Sequence, residues 1–326
     1  MIVVTGGAGF IGSALVWALN NRGRDNILVV DHLGHAAKWR NLVGLRFADY
    51  LDKTVFIEGL EKGRFGDTIE AILHMGACSS TTETNADYLI ENNYGYTARI
   101  AAWREAHRRC RLIYASSAAT YGDGSRGYTD DETRLETLRP LNMYGYSKHL
   151  FDLRARREGW LKTIAGLKYF NVFGPNEGHK GAMRSVINKA YPGVRDEGRI
   201  RLFRSHRPDY ANGEQQRDFI YVKDAAAMTL FFLEHPEVSG LFNIGTGQAR
   251  TWNDVAGALF AATAKPGEID YIPMPEELQG QYQYYTCADM AKLQASGCEV
   301  AGTSLEDAVA DYVQNYLGPE AFLASD

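Results

Sequence analysis

Short apolar runs recur along the first half of the chain, and stretches with helical spacing separate them. The runs cover residues 2–5, 26–30, 71–75, 111–115 and 163–169. Each run has the length of a buried strand, whereas residues 10–21 place apolar side chains on one helical face. The alternation of strand and helix predicts an α/β fold built on a doubly wound parallel sheet.

The first run leads directly into a glycine-rich turn. Gly7, Gly9 and Gly12 match the G-x-G-x-x-G spacing, which allows a tight turn and a close approach of the backbone to a pyrophosphate. Asp31 ends the second run about twenty residues further on, where an acidic side chain usually holds a ribose hydroxyl. Together these features predict a dinucleotide site at the start of the following helix.

Ligands of such sheets bind beyond the carboxyl ends of the strands. Residues 76–80, Ser116, Ser117 and residues 171–172 follow three of the predicted strands. We therefore expect these segments to meet in one crevice.

A tyrosine and a lysine stand four residues apart, at Tyr144 and Lys148, which puts them on one face of a helix beginning near Tyr144. A tyrosine has a pKa near 10, so accepting a proton near neutrality requires roughly 4 kcal/mol of phenolate stabilisation. The Lys148 cation can supply part of it and can also bond the nicotinamide ribose, while Ser117 is placed to hold a reacting hydroxyl. The same spacing also occurs by chance in amphipathic helices.

The amino-acid composition changes after Pro175, where glycine, proline and arginine become frequent. Helices are predicted at 252–262 and 305–317. We interpret residues 1–174 mainly as the dinucleotide-binding domain and residues 175–326 mainly as a smaller mixed α/β substrate lobe. A segment at about 220–250 is expected to return to the first domain.

Composition excludes several classes of protein. The 326 residues are 45% apolar and 23% charged, with a net charge of -5, which favours a globular protein that does not bind nucleic acid. No basic leader precedes the first strand, and the apolar runs are too short to cross a bilayer, so we expect a cytoplasmic protein with no membrane partner. Metal-ligand and C-x-x-C spacings are absent, and reduced thiols are expected at Cys78, Cys110, Cys287 and Cys298.

Longer motifs carry a resemblance to a known family. They lie at residues 5–13, 76–83, 114–122, 144–148, 169–175 and 177–181. With the spacing of Gly6, Gly9 and Gly12 and with Asn92, the chain resembles the extended short-chain dehydrogenase/reductases up to about residue 317. Within them it is similar to nucleotide-sugar epimerases that act at C6″ of an ADP-heptose in lipopolysaccharide precursor synthesis. The resemblance implies Rossmann topology, hydride removal through a 6″-ketone and hydride return to the opposite face.

The resemblance also implies roles for individual residues. Tyr144 and Lys180 are the expected acid/base pair, with Lys148 and Ser117 beside the tyrosine; outside the family, Lys180 would be interpreted as a solvated charge or a phosphate contact. The expected cofactor residues are Gly6, Gly9, Phe10, Ile11, Gly12, Asp31, His32, Lys38, Lys53, Met75, Gly76, Ala77, Cys78, Ser79, Asn92, Lys148, Val172 and Lys180.

The identity of the nicotinamide cofactor depends on the charges near the adenosine ribose. Asp31 suits an unphosphorylated ribose and would repel a 2′-phosphate. Lys38 and Lys53 offset that repulsion, and the family resemblance favours NADP over NAD. His32 stands where the family commonly has asparagine.

The substrate residues are also taken from the resemblance. They are Asn171, Ala182, Lys189, Phe203, Arg204, Ser205, Arg217 and Tyr282. Arg217 is best suited to pair with a diphosphate, although it could instead bridge Asp218 or Asp224. Ala182 replaces a serine of the family, Lys189 replaces a histidine, and residues 205–216 form a longer segment than usual. A homo-oligomer, specifically a pentamer, is a further expectation from the family.

Two other functions share these motifs. A UDP-hexose 4-epimerase has the same fingerprint and tyrosine-lysine pair, while a related 4,6-dehydratase typically has Asp-Glu where this chain has Ala118 and Ala119. A nucleotide-sensing protein without catalysis is the alternative from another class. Such proteins usually lack the tyrosine, whereas Ser117, Tyr144 and Lys148 are all present here.

Overall fold

Seven parallel strands form the main sheet of the protein, which the computed structural model describes over residues 1–280 and 282–324. The strands of all three sheets, in chain order, are β1 (Ile2–Thr5), β2 (Ile27–Asp31), β3 (Asp49–Asp52), β4 (Ala71–His74), β5 (Arg111–Ser117), β6 (Ala165–Tyr169), β7 (Asn171–Phe173), β8 (Arg199–Phe203), β9 (Gln216–Tyr221), β10 (Gly240–Ile244), β11 (Ala249–Thr251) and β12 (Glu268–Ile272). The order across the main sheet is β10-β6-β5-β4-β1-β2-β3. The direction of winding therefore reverses between β1 and β4, where a ligand crevice is expected.

Helices cover both faces of this sheet. The helices of the described residues, in chain order and including those of the smaller lobe, are α1 (Phe10–Asn20), α2 (Lys53–Glu61), α3 (Ala86–Leu89), α4 (Tyr96–Ala106), α5 (Met143–Arg157), α6 (Val186–Glu197), α7 (Val222–Glu234), α8 (Trp252–Thr263), α9 (Glu276–Gln279), α10 (Ala291–Ala295) and α11 (Leu305–Tyr312). Short 3₁₀ turns occupy Ala37–Leu42, Ala118–Tyr121, Glu132–Thr137, Trp160–Lys162 and Gly178–Met183, and π-helical turns occupy Ile90–Gly95 and Val313–Leu317.

The first strand shows why the chain adopts a layered fold. Ile2 and Val4 pack into the apolar core under α1 and α7, whereas Val3 packs into the opposite core under α2, α4 and α5. A parallel strand that is buried on both faces needs apolar residues at successive positions rather than alternating ones. The prediction of a doubly wound α/β fold is confirmed.

The five predicted strands are present, with ends shifted by no more than two residues. The sequence did not indicate β3, an edge strand of four residues that begins and ends with aspartate and is largely accessible. Its pairing with β2, rather than its own apolar content, makes it a strand. The helix predicted at 305–317 is an α-helix only over Leu305–Tyr312 and continues as a π-helical turn.

A smaller lobe follows the main sheet in the chain. It contains a three-stranded sheet, β11-β9-β7, and the parallel pair β12-β8, with a separate apolar core among α6, α8 and α11. Within this half of the chain, β10 pairs with β6 in the main sheet and α7 packs against α1. The domain boundary at residue 174 stays a prediction.

Candidate active site

A cavity of about 760 Å³ lies at the carboxyl ends of the central strands, next to the reversal between β1 and β4. Most of the predicted cofactor and catalytic residues line it. They are Gly6, Gly9, Phe10, Ile11, Gly12, Asp31, His32, Lys38, Met75, Gly76, Ala77, Ser79, Ser117, Tyr144, Lys148, Val172 and Lys180. The predicted substrate residue Asn171 also lines it. Lys53, Cys78 and Asn92 line a smaller adjoining cavity together with Asp31 and Lys38.

The glycine turn fits a bound diphosphate because side chains have no room there. A Cβ on Gly12 would lie 2.0 Å from the Gly6 carbonyl oxygen, and one on Gly6 would lie 2.7 Å from Gly76. Gly6 also has a left-handed backbone, with φ of 65°. Gly9 is the N-cap of α1 and offers no capping side chain, so the amides of the first helical turn are left for a ligand.

Three donors within the protein bond the Asp31 carboxylate. One oxygen accepts from the Ala8 amide at 2.9 Å. The other accepts from the His32 amide at 2.7 Å and from Lys38 Nζ at 2.6 Å. Lys38 thus offsets the charge that would repel a 2′-phosphate, and the role of Asp31 toward a ribose hydroxyl stays a prediction.

Other groups surround the same end of the cavity. Lys53 Nζ donates to Asn92 Oδ1 at 2.6 Å. The exposed His32 imidazole faces Asp52, with 3.0 Å between Nδ1 and Oδ2. Asn92 lies in the π-helical turn, a local widening of a helix that is frequent at functional sites.

Helix α5 presents Tyr144 and Lys148 to the cavity as predicted. Asn142 caps the helix, since its Oδ1 accepts from the Gly145 amide at 2.8 Å. Gly145 permits close packing, because a Cβ there would lie 2.7 Å from the Ala119 carbonyl oxygen. This contact brings the helix against the end of β5, where Ser117 bonds the Tyr144 phenol.

The electrostatics of Tyr144 differ from the expectation. Burial raises the pKa of its phenol, and the hydrogen bond from Ser117 opposes that rise only in part. Burial lowers the pKa of Lys148 to about 8, and its Nζ donates to the Ala115 carbonyl oxygen at 2.7 Å. The sequence spacing led us to expect a lowered tyrosine pKa; the opposite direction arises because burial outweighs the neighbouring polar groups.

Lys180 reaches the cavity from the Gly178–Met183 turn. Its ammonium stands 5.2 Å above the Phe10 ring, and burial lowers its pKa. Gly181 supplies the left-handed backbone that the turn requires, with φ of 56°. The buried Glu177 closes the base of the turn by accepting from Ser185 Oγ at 2.7 Å and from the Gly174 amide at 3.3 Å.

Asn176 is a second support of this turn that the sequence did not indicate. Its backbone is left-handed, with φ of 73°, and its side chain is buried. Asn176 Nδ2 donates to Ser13 Oγ at 2.9 Å, and its Oδ1 accepts from the Leu323 amide at 3.0 Å. Asn41 Nδ2 lies 3.0 Å from the Asn176 carbonyl oxygen and 3.1 Å from His179 Nδ1.

Another residue that sequence reasoning missed is Asn93, immediately after the predicted Asn92. Its buried amide accepts from the Cys78 backbone N–H at 2.8 Å and donates to the Cys78 carbonyl and to Ser147 Oγ, each at 3.0 Å. It therefore joins the segment after β4 to α5. The asparagine pair was the available signal, but a helical asparagine can equally face solvent.

The predicted substrate residues are less closely grouped than the cofactor residues. Seven of the eight do not line either of the two cavities described above: Ala182, Lys189, Phe203, Arg204, Ser205, Arg217 and Tyr282. Lys189 is exposed, and its Nζ donates to the Ala182 carbonyl oxygen at 3.3 Å. Arg204 Nε donates to the Tyr271 carbonyl oxygen, and Ser205 Oγ donates to the Arg207 carbonyl oxygen, each at 2.8 Å.

Arg217 is a buried cation between the rings of Trp252 and Tyr282, at 5.9 and 5.1 Å. Its guanidinium donates to the carbonyl oxygens of Gln216 and Gln283. In the described residues, 1–280 and 282–324, it pairs with no carboxylate, so it does not bridge Asp218 or Asp224. Burial lowers its pKa. A buried guanidinium without an anionic partner suits a phosphate ligand.

The profile of the NAD dependent epimerase/dehydratase family matches residues 2–245. The chain belongs to this family. An ADP-L-glycero-D-manno-heptose-6-epimerase of Nitratidesulfovibrio vulgaris is 55% identical over 317 residues, which cover 97% of this chain and 98% of the relative. The protein is similar to that enzyme over nearly its whole length, which confirms the resemblance found in the motifs.

Solved structures agree with the fold. The ADP-L-glycero-D-manno-heptose-6-epimerase of Helicobacter pylori has a TM-score of 0.80 and 27% identity, covering 96% of this chain and 95% of that one. UDP-glucose 4-epimerase of Thermus thermophilus, solved in complex with NAD, has a TM-score of 0.76 at 24% identity and covers 97% of this chain and 99% of that one. At that identity the second likeness shows the fold alone.

Other classes of site are not found in the described part of the chain. Over residues 1–280 and 282–324, no cluster of histidine, cysteine, aspartate or glutamate side chains has the arrangement of a metal site. No helix in those ranges has both the length and the apolar character needed to cross a membrane. Cys78, Cys110, Cys287 and Cys298 are free thiols.

Proposed function

We propose that the protein epimerises ADP-D-glycero-D-manno-heptose at C6″ to the L-glycero form, using NADP, in the synthesis of lipopolysaccharide precursors. The observation that carries this proposal is the convergence of two candidate proton carriers on one cavity from different elements. Tyr144 reaches it from α5 and Lys180 from the Gly178–Met183 turn. In epimerisation, hydride leaves one face of the sugar carbon and returns to the opposite face. The oxygen on that carbon is therefore presented in two orientations, and each orientation needs a group that can exchange its proton.

Gly6, Gly9, Gly12 and Lys148 would hold a nicotinamide cofactor, which would supply reversible hydride transfer with a sugar carbon. Tyr144 and Lys180 handle the proton: one accepts it from the C6″ hydroxyl as the ketone forms, and the other returns one to the ketone oxygen from the opposite side. Ser117 bonds the Tyr144 phenol and orients it. Lys148, when protonated, favours the phenolate by its charge.

The choice of NADP is supported by the charges around Asp31. Because Lys38 and two backbone amides satisfy the carboxylate, a 2′-phosphate would meet the Lys38 and Lys53 ammonium groups rather than a free negative charge. Lys38→Met should weaken NADP binding about tenfold and change NAD binding much less, since one charged contact is worth about 1.4 kcal/mol here. Fluorescence titration of both cofactors checks this; equal weakening of both would favour NAD as the cofactor.

The remaining substrate contacts are proposed on similar grounds. Arg217 would pair with the diphosphate because it is a buried cation with no carboxylate partner in the described ranges, 1–280 and 282–324. A homo-oligomer, a pentamer by family likeness, and a cytoplasmic location remain proposals. Sedimentation analysis of the purified protein would test the first of them.

The decisive experiment follows the C6″ configuration directly. Purified protein is incubated with ADP-D-glycero-D-manno-heptose and the product is analysed by NMR, with Tyr144→Phe as the control. Appearance of the L-glycero epimer, lost in the control, would support both reaction and substrate. An unchanged sugar in the presence of bound NADP would overturn the proposal, and UDP-hexoses would then be tested for 4-epimerisation.

A further inference from the structure

A buried ion pair joins α5, the helix that carries Tyr144 and Lys148, to the main sheet. Asp152 stands one turn after Lys148 on α5, and its side chain is 0% exposed; its partner Lys168, on β6, is 1% exposed. The distance from Lys168 Nζ to Asp152 Oδ2 is 3.0 Å. Neither residue is among those that line the two cavities, so neither has a direct role in holding a ligand there.

Asp152 joins α5 to the end of β5. Its Oδ1 accepts from the Tyr114 hydroxyl at 2.9 Å, and its Oδ2 accepts from Ser116 Oγ at 2.7 Å. Tyr114 and Ser116 flank Ala115, whose carbonyl oxygen accepts from Lys148 Nζ at 2.7 Å. The carboxylate thus fixes the strand on both sides of the atom that holds the Lys148 ammonium.

Lys168 extends the same connection to β6 and to the turn after β5. Its Nζ donates to Thr120 Oγ1 at 2.6 Å and lies 4.8 Å above the Tyr121 ring. A buried ion pair is poor evidence for stability, because well-packed apolar residues often stabilise a core equally well. Because Asp152 lies one helical turn from Lys148, the ion pair is placed to act on Lys148 rather than on stability.

The Asp152 carboxylate interacts with two buried ammonium groups, those of Lys148 and Lys168. It raises the pKa of Lys148 against the lowering effect of burial, and Cys78 acts in the same direction. The titratable groups that face Lys148 are Tyr144 and Asp152 on α5, His74 on β4 and Cys78 after β4. His74 is kept neutral by burial, so Asp152 is the principal fixed negative charge in this set.

We propose that Asp152 and Lys168 are positioning residues of the reaction, which hold the Lys148 ammonium against Ala115 and set the charge that it carries. The inference rests on the proposed function for its catalytic meaning. Asp152 favours the charged form of Lys148, and Lys168 moderates that effect by neutralising Asp152. Removal of Asp152 and removal of Lys168 should therefore shift the titration midpoint of Lys148 in opposite directions.

Direct titration of Lys148 tests the inference without any substrate. The ¹³Cε resonance of Lys148, assigned with a Lys148→Met variant, is followed against pH in the wild type and in Asp152→Asn, Lys168→Met and Lys168→Arg. We expect the Lys148 midpoint to fall by about one pH unit in Asp152→Asn and to rise in Lys168→Met, since one charge is removed at short range in each. Lys168→Arg, which keeps the charge, should leave it within a few tenths of a unit.

The pH profile of kcat with ADP-heptose is the second readout. Its basic limb should move in the same direction as the Lys148 midpoint in each variant, with kcat at pH 8 reduced about tenfold in Asp152→Asn. Midpoints that stay fixed or move in the same direction in both variants would overturn the inference. If Asp152→Asn fails to fold, the contrast between Lys168→Met and Lys168→Arg still decides. Shifted midpoints in a protein that does not convert ADP-heptose would refute the proposed function and leave the electrostatic role intact.

Discussion

The two candidate proton carriers stand on very different supports. Tyr144 belongs to a helix of 15 residues that has a capped start and a close packing contact through Gly145. Lys180 belongs to a six-residue turn whose own residues are partly buried or exposed. The two residues before the turn hold it: Glu177 bonds Ser185 beyond the far end of the turn, and Asn176 bonds Ser13 on α1. Tyr144 is therefore placed mainly by its own helix, whereas Lys180 is placed by contacts made outside its turn.

This contrast has a consequence for robustness. Helix α5 owes its geometry to backbone hydrogen bonds that a single side-chain change leaves largely intact. The position of Lys180 depends on a few side-chain hydrogen bonds, so single substitutions outside the cavity should disturb Lys180 more than Tyr144. Each of the following changes tests one side of that difference.

The largest effects should come from removal of the carriers themselves. Tyr144→Phe and Lys180→Met should each lower kcat by about 10²–10⁴-fold, because each deletes one acid/base group. Steady-state assays with ADP-heptose would measure this, and NADP titration would verify that the site remains formed. Retention of most activity in Lys180→Met would remove Lys180 from the acid/base pair and leave the turn with a structural role.

Acid should destabilise the main sheet at the end of β4, next to the cavity. His74, buried between Thr5 Oγ1 at 2.6 Å and Thr97 Oγ1 at 2.8 Å, has its pKa lowered to about 3 by burial. Below pH 6.5 the unfolded chain binds the proton and the folded protein does not, so stability is complete above pH 6.5 and falls toward pH 3. Between pH 6.5 and 5 the loss should be about 2 kcal/mol.

Urea unfolding of the wild type and of His74→Asn at both pH values measures this difference. The variant should lose the His74 part of the pH dependence while keeping the part that arises from other groups. An identical pH dependence in the two proteins would show that His74 is not the group responsible.

Loosening the base of the turn should have an intermediate effect. Glu177→Gln keeps the shape of the side chain but removes the charge that binds Ser185 and the Gly174 amide. We expect kcat to fall about tenfold through displacement of Lys180, with KM nearly unchanged. Glu61→Gln, which removes an exposed partner of Arg99, is the matched control and should leave kcat unchanged. A loss of stability without a loss of kcat would contradict this account of the turn.

The smallest effect on catalysis should come from removing the helix cap. Asn142→Ala should lower the free energy of unfolding by about 1 kcal/mol, the usual cost of an N-cap. Because Gly145 still packs against Ala119, kcat should change less than in Glu177→Gln. Chemical denaturation and steady-state kinetics together measure both quantities, and Asn142→Asp should restore the stability. A larger kcat loss in Asn142→Ala than in Glu177→Gln would reverse the proposed order of the two supports.

The same contrast explains what the sequence could predict. The glycine turn and the Tyr144–Lys148 spacing are local patterns, and both predicted the observed geometry around the cavity. Lys180 was indicated only by family resemblance, because nothing in its neighbours shows that the turn is held. Asn176 and Asn41 could not be identified at all, since their partners lie far away in the chain.

Other features of the structure escaped the sequence analysis for equally physical reasons. Strand β3 was missed because its sheet partner, rather than its composition, makes it a strand. The direction of the Tyr144 pKa was missed because burial depends on the packed structure and not on spacing. Asp152 was in principle detectable, since it lies four residues after Lys148 on the same helical face, but its Lys168 partner comes from another strand.

The contact between Asn176 and Leu323 links the Lys180 turn to residues 147 positions later in the chain. Leu323 is 1% exposed and packs into the core under α1. Protein engineers therefore have to treat this late segment as part of the support of the candidate site. A change that displaces Leu323 would also remove a hydrogen bond of Asn176, which supports the turn that carries Lys180.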